Sequence, residues 1–95
     1  MHVRLTFVKV HHDKVKALVS IYNAAIVPAV KKAKGNVDLF MLEPVHPGED
    51  FISVTRWHSK ADADLYESSG LYKTLMGKVV HTFSAPPVLK DYETN

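Results

Sequence analysis

The stretch Val37–His58, VDLFMLEPVHPGEDFISVTRWH, decides the fold. Val37, Leu39 and Met41 alternate with Phe40 and Leu42, and Phe51 and Trp57 alternate with Ile52 and Val54, the two-residue period of extended chain. Between these runs Pro44–Asp50 is rich in turn formers, Pro47-Gly48 among them. The stretch therefore reads as two strands, Val37–Glu43 and Phe51–His58, paired antiparallel. Both strands are apolar on both faces. An antiparallel sheet with one face in water alternates apolar with polar, so here each face needs a cover.

On the N-terminal side, Val3–Val10 reads as another strand, with Val3, Leu5 and Phe7 on one face and Val8 and Val10 on the other. Asp13 is a candidate N-cap for a helix whose apolar stripe runs through Val15, Leu18, Tyr22, Ile26 and Val30. Pro28 is expected to kink that helix, and Lys31, Lys32 and Lys34 before Gly35 mark its end. On the C-terminal side, Ser59 and Asp62 match a capping signature for a short helix carrying Leu65 and Tyr66. Ser68-Ser69-Gly70 interrupts it. Leu71, Leu75, Val79 and Phe83 then line a last helix, Pro86-Pro87 stops it, and Val88–Tyr92 reads as a final strand. The order β-α-β-β-α-β defines an α+β, ferredoxin-like, split βαβ fold with both helical segments on one sheet face. No third helical layer remains for the other face. A second copy of the same sheet is the expected cover, which makes a homodimer, because monomers in water avoid exposing several hundred Å² of contiguous apolar surface.

With 95 residues the chain holds one domain, 1–95, and its 46% hydrophobic and 23% charged residues are globular values. A net charge of +2 without a clustered basic face excludes an electrostatic footprint for nucleic acid or an anionic membrane. The absence of cysteine rules out disulfides, thiolate metal sites and a cysteine nucleophile. Neither a signal-peptide pattern nor an apolar run of about 20 residues is present, so cytoplasmic placement is expected. His11 and His12 would point apart in extended chain, no HExxH spacing occurs, and the glycines are isolated. No metal, nucleotide or other cofactor is expected.

Arg56-Trp57-His58 ending a strand, Asp64-Leu65-Tyr66 on the short helix and Leu71-Tyr72-Lys73 after it resemble the antibiotic biosynthesis monooxygenase family of dimeric α+β barrels. Ile26-Val27-Pro28 is similar to its quinol monooxygenases. Met1-His2-Val3, His12-Asp13-Lys14-Val15 and Tyr72-Lys73-Thr74 are similar to its autoinducer-2 isomerase branch. The resemblance implies a pocket between sheet and helices in which a quinol or polyphenolic aromatic reacts with oxygen without metal or flavin. Where the oxygenases keep an asparagine and a tyrosine, this chain has Ser53 and Ala63. Haem-degrading relatives place asparagine, tryptophan and histidine where Phe7, Tyr66 and Met76 stand, and the isomerases place histidines where Ile26, Tyr66 and Leu71 stand. Haem degradation is not expected, and the isomerase reading lacks the histidines that would transfer its protons. A noncatalytic dimeric ligand-binding or stress module, or an isomerase of a small sugar-derived substrate, are the alternatives to the oxygenase.

By this reading Trp57, Tyr66, Tyr72 and His81 are the candidate catalytic residues. The tryptophan and the tyrosines could equally be core aromatics, while a histidine suits acid or base work near neutral pH. Phe7, Asn23, Phe40 and Met76 are the expected substrate contacts. His58 is expected to face away from the pocket.

Overall fold

Strands β1 (His2–Val8), β2 (Asn36–Leu42), β3 (Phe51–Trp57) and β4 (Val88–Glu93) form one antiparallel sheet in the order β2-β3-β1-β4. The computed structural model describes residues 1–95. Helices α1 (Val15–Ile21), α2 (Val27–Lys31), α3 (Lys60–Ser68) and α4 (Leu71–Val79) pack on one face of that sheet. This is the ferredoxin-like α+β arrangement that the element order predicts.

Register fixes which side chains share a face. Residues His2, Arg4, Thr6 and Val8 stand opposite Trp57, Thr55, Ser53 and Phe51, and this set faces the helices. Val3, Leu5 and Phe7 stand opposite Arg56, Val54 and Ile52 on the helix-free face, where Phe40, Leu42, Val88 and Tyr92 join them. At β1 the more apolar set thus points away from the helices. Two polar features interrupt the helix-free face. Arg56 pairs with Asp38 in a bidentate contact, its Nε donating at 2.7 Å, and Lys90 Nζ lies 5.4 Å from the centre of the Phe7 ring.

Local chemistry explains where the elements stop. β1 ends at Val8, short of the expected Val10, because Val10 leaves to bridge Phe83 and the Lys9 carbonyl accepts from the Ser84 N–H at 2.8 Å. Asp13 does not cap a helix but sits inside a 3₁₀ turn, His12–Lys14, that leads into α1. Pro28 falls in the first turn of α2, where its missing N–H is tolerated. The irregularity lies one turn earlier, in a π turn at Tyr22–Ile26 that closes with the Val27 N–H on the Tyr22 carbonyl. Ser59 caps α3 as expected, its Oγ accepting from the Asp62 N–H at 3.2 Å. Gly70, at φ +89°, turns the chain from α3 into α4. α4 stops at Val79, and the expected helical residues beyond it form a 3₁₀ turn, Val80–Thr82.

The core between sheet and helices has two parts. Tyr22, Val30, Leu39, Trp57, Ala63 and Leu75 form one, and Val8, Leu18, Phe51 and Val79 the other. A cavity lies between them.

Candidate active site

Two adjacent rungs of the sheet make the polar floor of this cavity. Thr6 stands opposite Ser53 and Arg4 opposite Thr55, and all four line it. Two residues of strand separate the rungs by about 6.8 Å. The first helix contributes Leu18, Tyr22, Ile26 and Val30 to the walls, α3 contributes Tyr66, and α4 contributes Tyr72, Leu75, Met76 and Val79. Thirteen of the seventeen lining residues are hydrophobic, which suits an apolar body held by a few placed polar groups. The volume of about 60 Å³ is several times the roughly 10–15 Å³ that one water needs. The space has room for more than one water.

At the first rung the buried Tyr22 hydroxyl and Ser53 Oγ share a hydrogen bond of 3.0 Å. A hydroxyl pair carries two protons and uses one internally, so the other remains to be donated to a ligand oxygen. The π turn places Tyr22 there by widening the helix at that residue. At the second rung Thr55 Oγ1 donates to the Arg4 carbonyl at 3.3 Å and accepts from Trp57 Nε1 at 3.0 Å. Tyr66 stacks on Trp57 with ring centres 5.1 Å apart, and Tyr72 meets Tyr66 edge-on at 5.9 Å. No protein group hydrogen-bonds the Tyr66 or Tyr72 hydroxyl, yet no buried side-chain polar atom lacks a partner. Both hydroxyls are therefore accessible and free to donate.

Arg4 is the one cation on the cavity wall and is only 6% exposed. Its Nε donates to Asp91 at 2.7 Å, one terminal nitrogen to Asp64 at 3.0 Å, and the other to Glu67 at 3.3 Å and to the Ala63 carbonyl at 3.2 Å. Burial works against the cation. The hydrogen bonds to Asp91 and Asp64, with the charges of Asp91 and Glu67, outweigh it and hold the guanidinium above its ordinary value. Burial pushes all three lining phenols upward: Tyr66, reinforced by Tyr72 and Tyr22; Tyr72, reinforced by Glu67; and Tyr22, partly offset by Ser53. All three are protonated near neutral pH and can donate hydrogen bonds to an oxygen anion. No aspartate, glutamate or histidine lines the cavity.

Of the residues singled out in the sequence, Tyr66, Tyr72 and Met76 line the cavity. Trp57 is fully buried behind Tyr66, a supporting position. Phe7 and Phe40, expected as substrate contacts, lie instead on the helix-free face, because Phe7 pairs with Ile52 and Phe40 with Val54. Asn23 is exposed on the π turn, and His81 is exposed on the 3₁₀ turn after α4; neither lines the cavity. His58 is exposed just beyond β3. The sequence reading did not name Arg4, Thr6, Tyr22 or Thr55 as site residues, and it noted Ser53 only as a departure from the oxygenases' asparagine. Strand parity was the available signal, since Ser53 and Thr55 lie four and two residues before Trp57 on its own face.

Fold and site together define a ferredoxin-like α+β protein with a mostly apolar cavity between sheet and helices. The family model for antibiotic biosynthesis monooxygenase matches residues 1–78, and the chain belongs to that family. Among solved structures it is similar to a putative antibiotic biosynthesis monooxygenase from Nitrosomonas europaea, at 18% identity and TM-score 0.84 over 99% of this chain and 98% of that one. A putative antibiotic biosynthesis monooxygenase from Deinococcus radiodurans aligns at 11% identity and TM-score 0.83 over 100% and 93%. A mutant of MhuD with two manganese protoporphyrin IX bound per active site aligns at 18% identity and TM-score 0.82 over 99% and 94%. At these identities the likeness is one of fold. None of the curated proteins matches the sequence. No helix is long and apolar enough to cross a membrane.

Proposed function

We propose that the protein is a cofactor-independent monooxygenase of a quinol-type aromatic, working as a homodimer in the cytoplasm. The observation that carries this reading is the pair of polar rungs set in an apolar cavity. Tyr22, Ser53 and Thr6 make one polar station, and Arg4, Tyr66 and Tyr72 make the other. Hydrogen-bond donors at two places on an otherwise apolar wall suit an aromatic ring that carries more than one oxygen. Family membership supports the reaction class.

The substrate supplies the electrons in this chemistry. A deprotonated quinol reduces dioxygen; one oxygen atom forms a bond to a ring carbon, the other leaves as water, and the ring departs as a hydroxylated quinone, giving up four electrons in all. The protein holds ring and dioxygen together and stabilises the oxygen anion through neutral phenol donors already in place, while the Arg4 charge is taken up by Asp91, Asp64 and Glu67. The quinol proton passes to water, and ionisation is promoted by stabilising the anion, since no carboxylate or imidazole lines the cavity to take it. An isomerase, which must return a proton to a different carbon of the same substrate, has no such group in the cavity to carry it.

Oxygen uptake by the purified protein over a panel of hydroquinones and anthrones tests the proposal. Consumption with formation of the hydroxylated quinone is expected. Tight binding without oxygen consumption would select a ligand-binding module instead.

A further inference from the structure

A second cleft opens between the end of α2, α3 and the start of α4. It is lined by Ala33, Lys34, Asp62, Leu65, Tyr66, Ser69 and Leu71, and its volume is about 230 Å³. Tyr66 is the one residue that lines both this cleft and the central cavity. By shared lining, the two spaces meet at Tyr66 alone. The Tyr66 ring is held by contact alone, stacked on Trp57 and met edge-on by Tyr72, because its hydroxyl has no protein partner. It sits on the last full turn before the α3–α4 junction at Gly70. The two spaces also differ in character. The cavity is mainly apolar, whereas the cleft carries Lys34, Asp62 and Ser69.

We propose that the Tyr66 ring is a partition that sets substrate length: in place it confines the ligand to one ring, and without it the cavity and the cleft become a single elongated site. This rests on the quinol reading and sharpens it, since it makes the substrate a monocyclic quinol and excludes fused tricyclic phenols. The ring, and not its hydroxyl, makes the wall. Phenylalanine should preserve the partition; leucine and alanine should open it.

The test is calorimetric titration under argon, so that no oxidation occurs, with methylhydroquinone as the single-ring ligand and 1,8-dihydroxyanthrone as the tricyclic one. The wild type and Tyr66→Phe should bind the single-ring ligand at least tenfold more tightly. Tyr66→Leu and Tyr66→Ala should erase or invert that preference. Leu65→Phe, which fills the cleft from its outer side, should restore it in the Tyr66→Ala background. Equal binding of both ligands by the wild type, or a preference that Tyr66→Leu and Tyr66→Ala leave unchanged, overturns the partition. If neither ligand binds any variant the quinol reading fails, and the partition is then decided by acrylamide quenching of Trp57, the only tryptophan. Quenching should rise in Tyr66→Ala and fall again when Leu65→Phe is added. Quenching that Leu65→Phe leaves unchanged overturns the partition, because the cleft would then not be the route opened.

Discussion

Arg4 places a charge where a β1 residue meets the helices, and the surrounding carboxylates make that possible. Asp91 is held below the ordinary carboxylate range chiefly by the Arg4 hydrogen bond, with burial opposing and His2 assisting. Asp64 is lowered by Lys60 and then Arg4. A lowered carboxylate stabilises the fold above its unfolded value, and that contribution is lost as pH falls through the folded one. Thermal stability should therefore be flat near neutral pH and decline below about pH 4, with a shallower decline in Asp91→Asn, as melting curves across pH would show. The aromatic residues divide differently. Tyr72→Phe removes a hydroxyl that no protein group uses, so melting should hardly change, while kcat should fall roughly 10²–10³-fold if that hydroxyl donates to a developing oxygen anion. Trp57→Phe trims a fully buried ring and its bond to Thr55, which should cost about 1–2 kcal/mol of stability. It should alter turnover only through the seat of Tyr66. A rate loss in Trp57→Phe larger than in Tyr72→Phe would return the tryptophan to the site itself.

Elements depend on a few close approaches, of which Gly35 is the tightest. It leads into β2 at φ +80°, and a Cβ there would collide with the Asp62 side chain, on the first turn of α3. Gly35→Ala should therefore destabilise by more than about 2 kcal/mol, backbone strain and clash together. In a double-mutant cycle by denaturant unfolding, Asp62→Ala should recover only part of the clash, because the Cβ at position 62 also meets the new methyl, and none of the strain. Ser59→Ala should cost about 1 kcal/mol through loss of the cap. The Ser59 cap, the Ser68–Gly70 break and the strand periods were all legible in the sequence, because each depends on neighbours within a few residues. The π turn was not: proline marked an irregularity, but its site is set by how Tyr22 reaches Ser53 on β3. The cavity floor was legible only in part for a related reason. Alternation tells which residues share a face but not which face the helices cover, and at β1 the charged residues went inward. His2 and Arg4 can be buried only because Asp91, Glu93, Asp64 and Glu67 converge on them from β4 and α3, a meeting no local pattern announces.

At the scale of the whole molecule, that inversion leaves Val3, Leu5, Phe7, Ile52 and Val54 together on the helix-free face. Phe40, Leu42, Val88 and Tyr92 extend the patch to both edge strands and are each about half exposed. Val54 lies at its centre, between Leu5 and Phe40, and is only 7% exposed even in the single chain. A second copy packed on this face would complete the burial symmetrically, and a stable assembly of that kind hides more than about 1,000 Å² in total. Val54→Asp then sets a charge in the middle of a dry interface, at a cost of several kcal/mol per dimer. Helices and cavity lie on the other face and should be untouched by the substitution at first order. Sedimentation at micromolar concentration should therefore show a dimer for the wild type and monomer or aggregate for Val54→Asp. Phe7→Glu, farther along the same face beside Lys90, should weaken the dimer less, because Lys90 can offset the new charge. A wild-type monomer, or an intact Val54→Asp dimer with unchanged melting, would mean that this face stays open to water and that the two-sheet assembly is wrong.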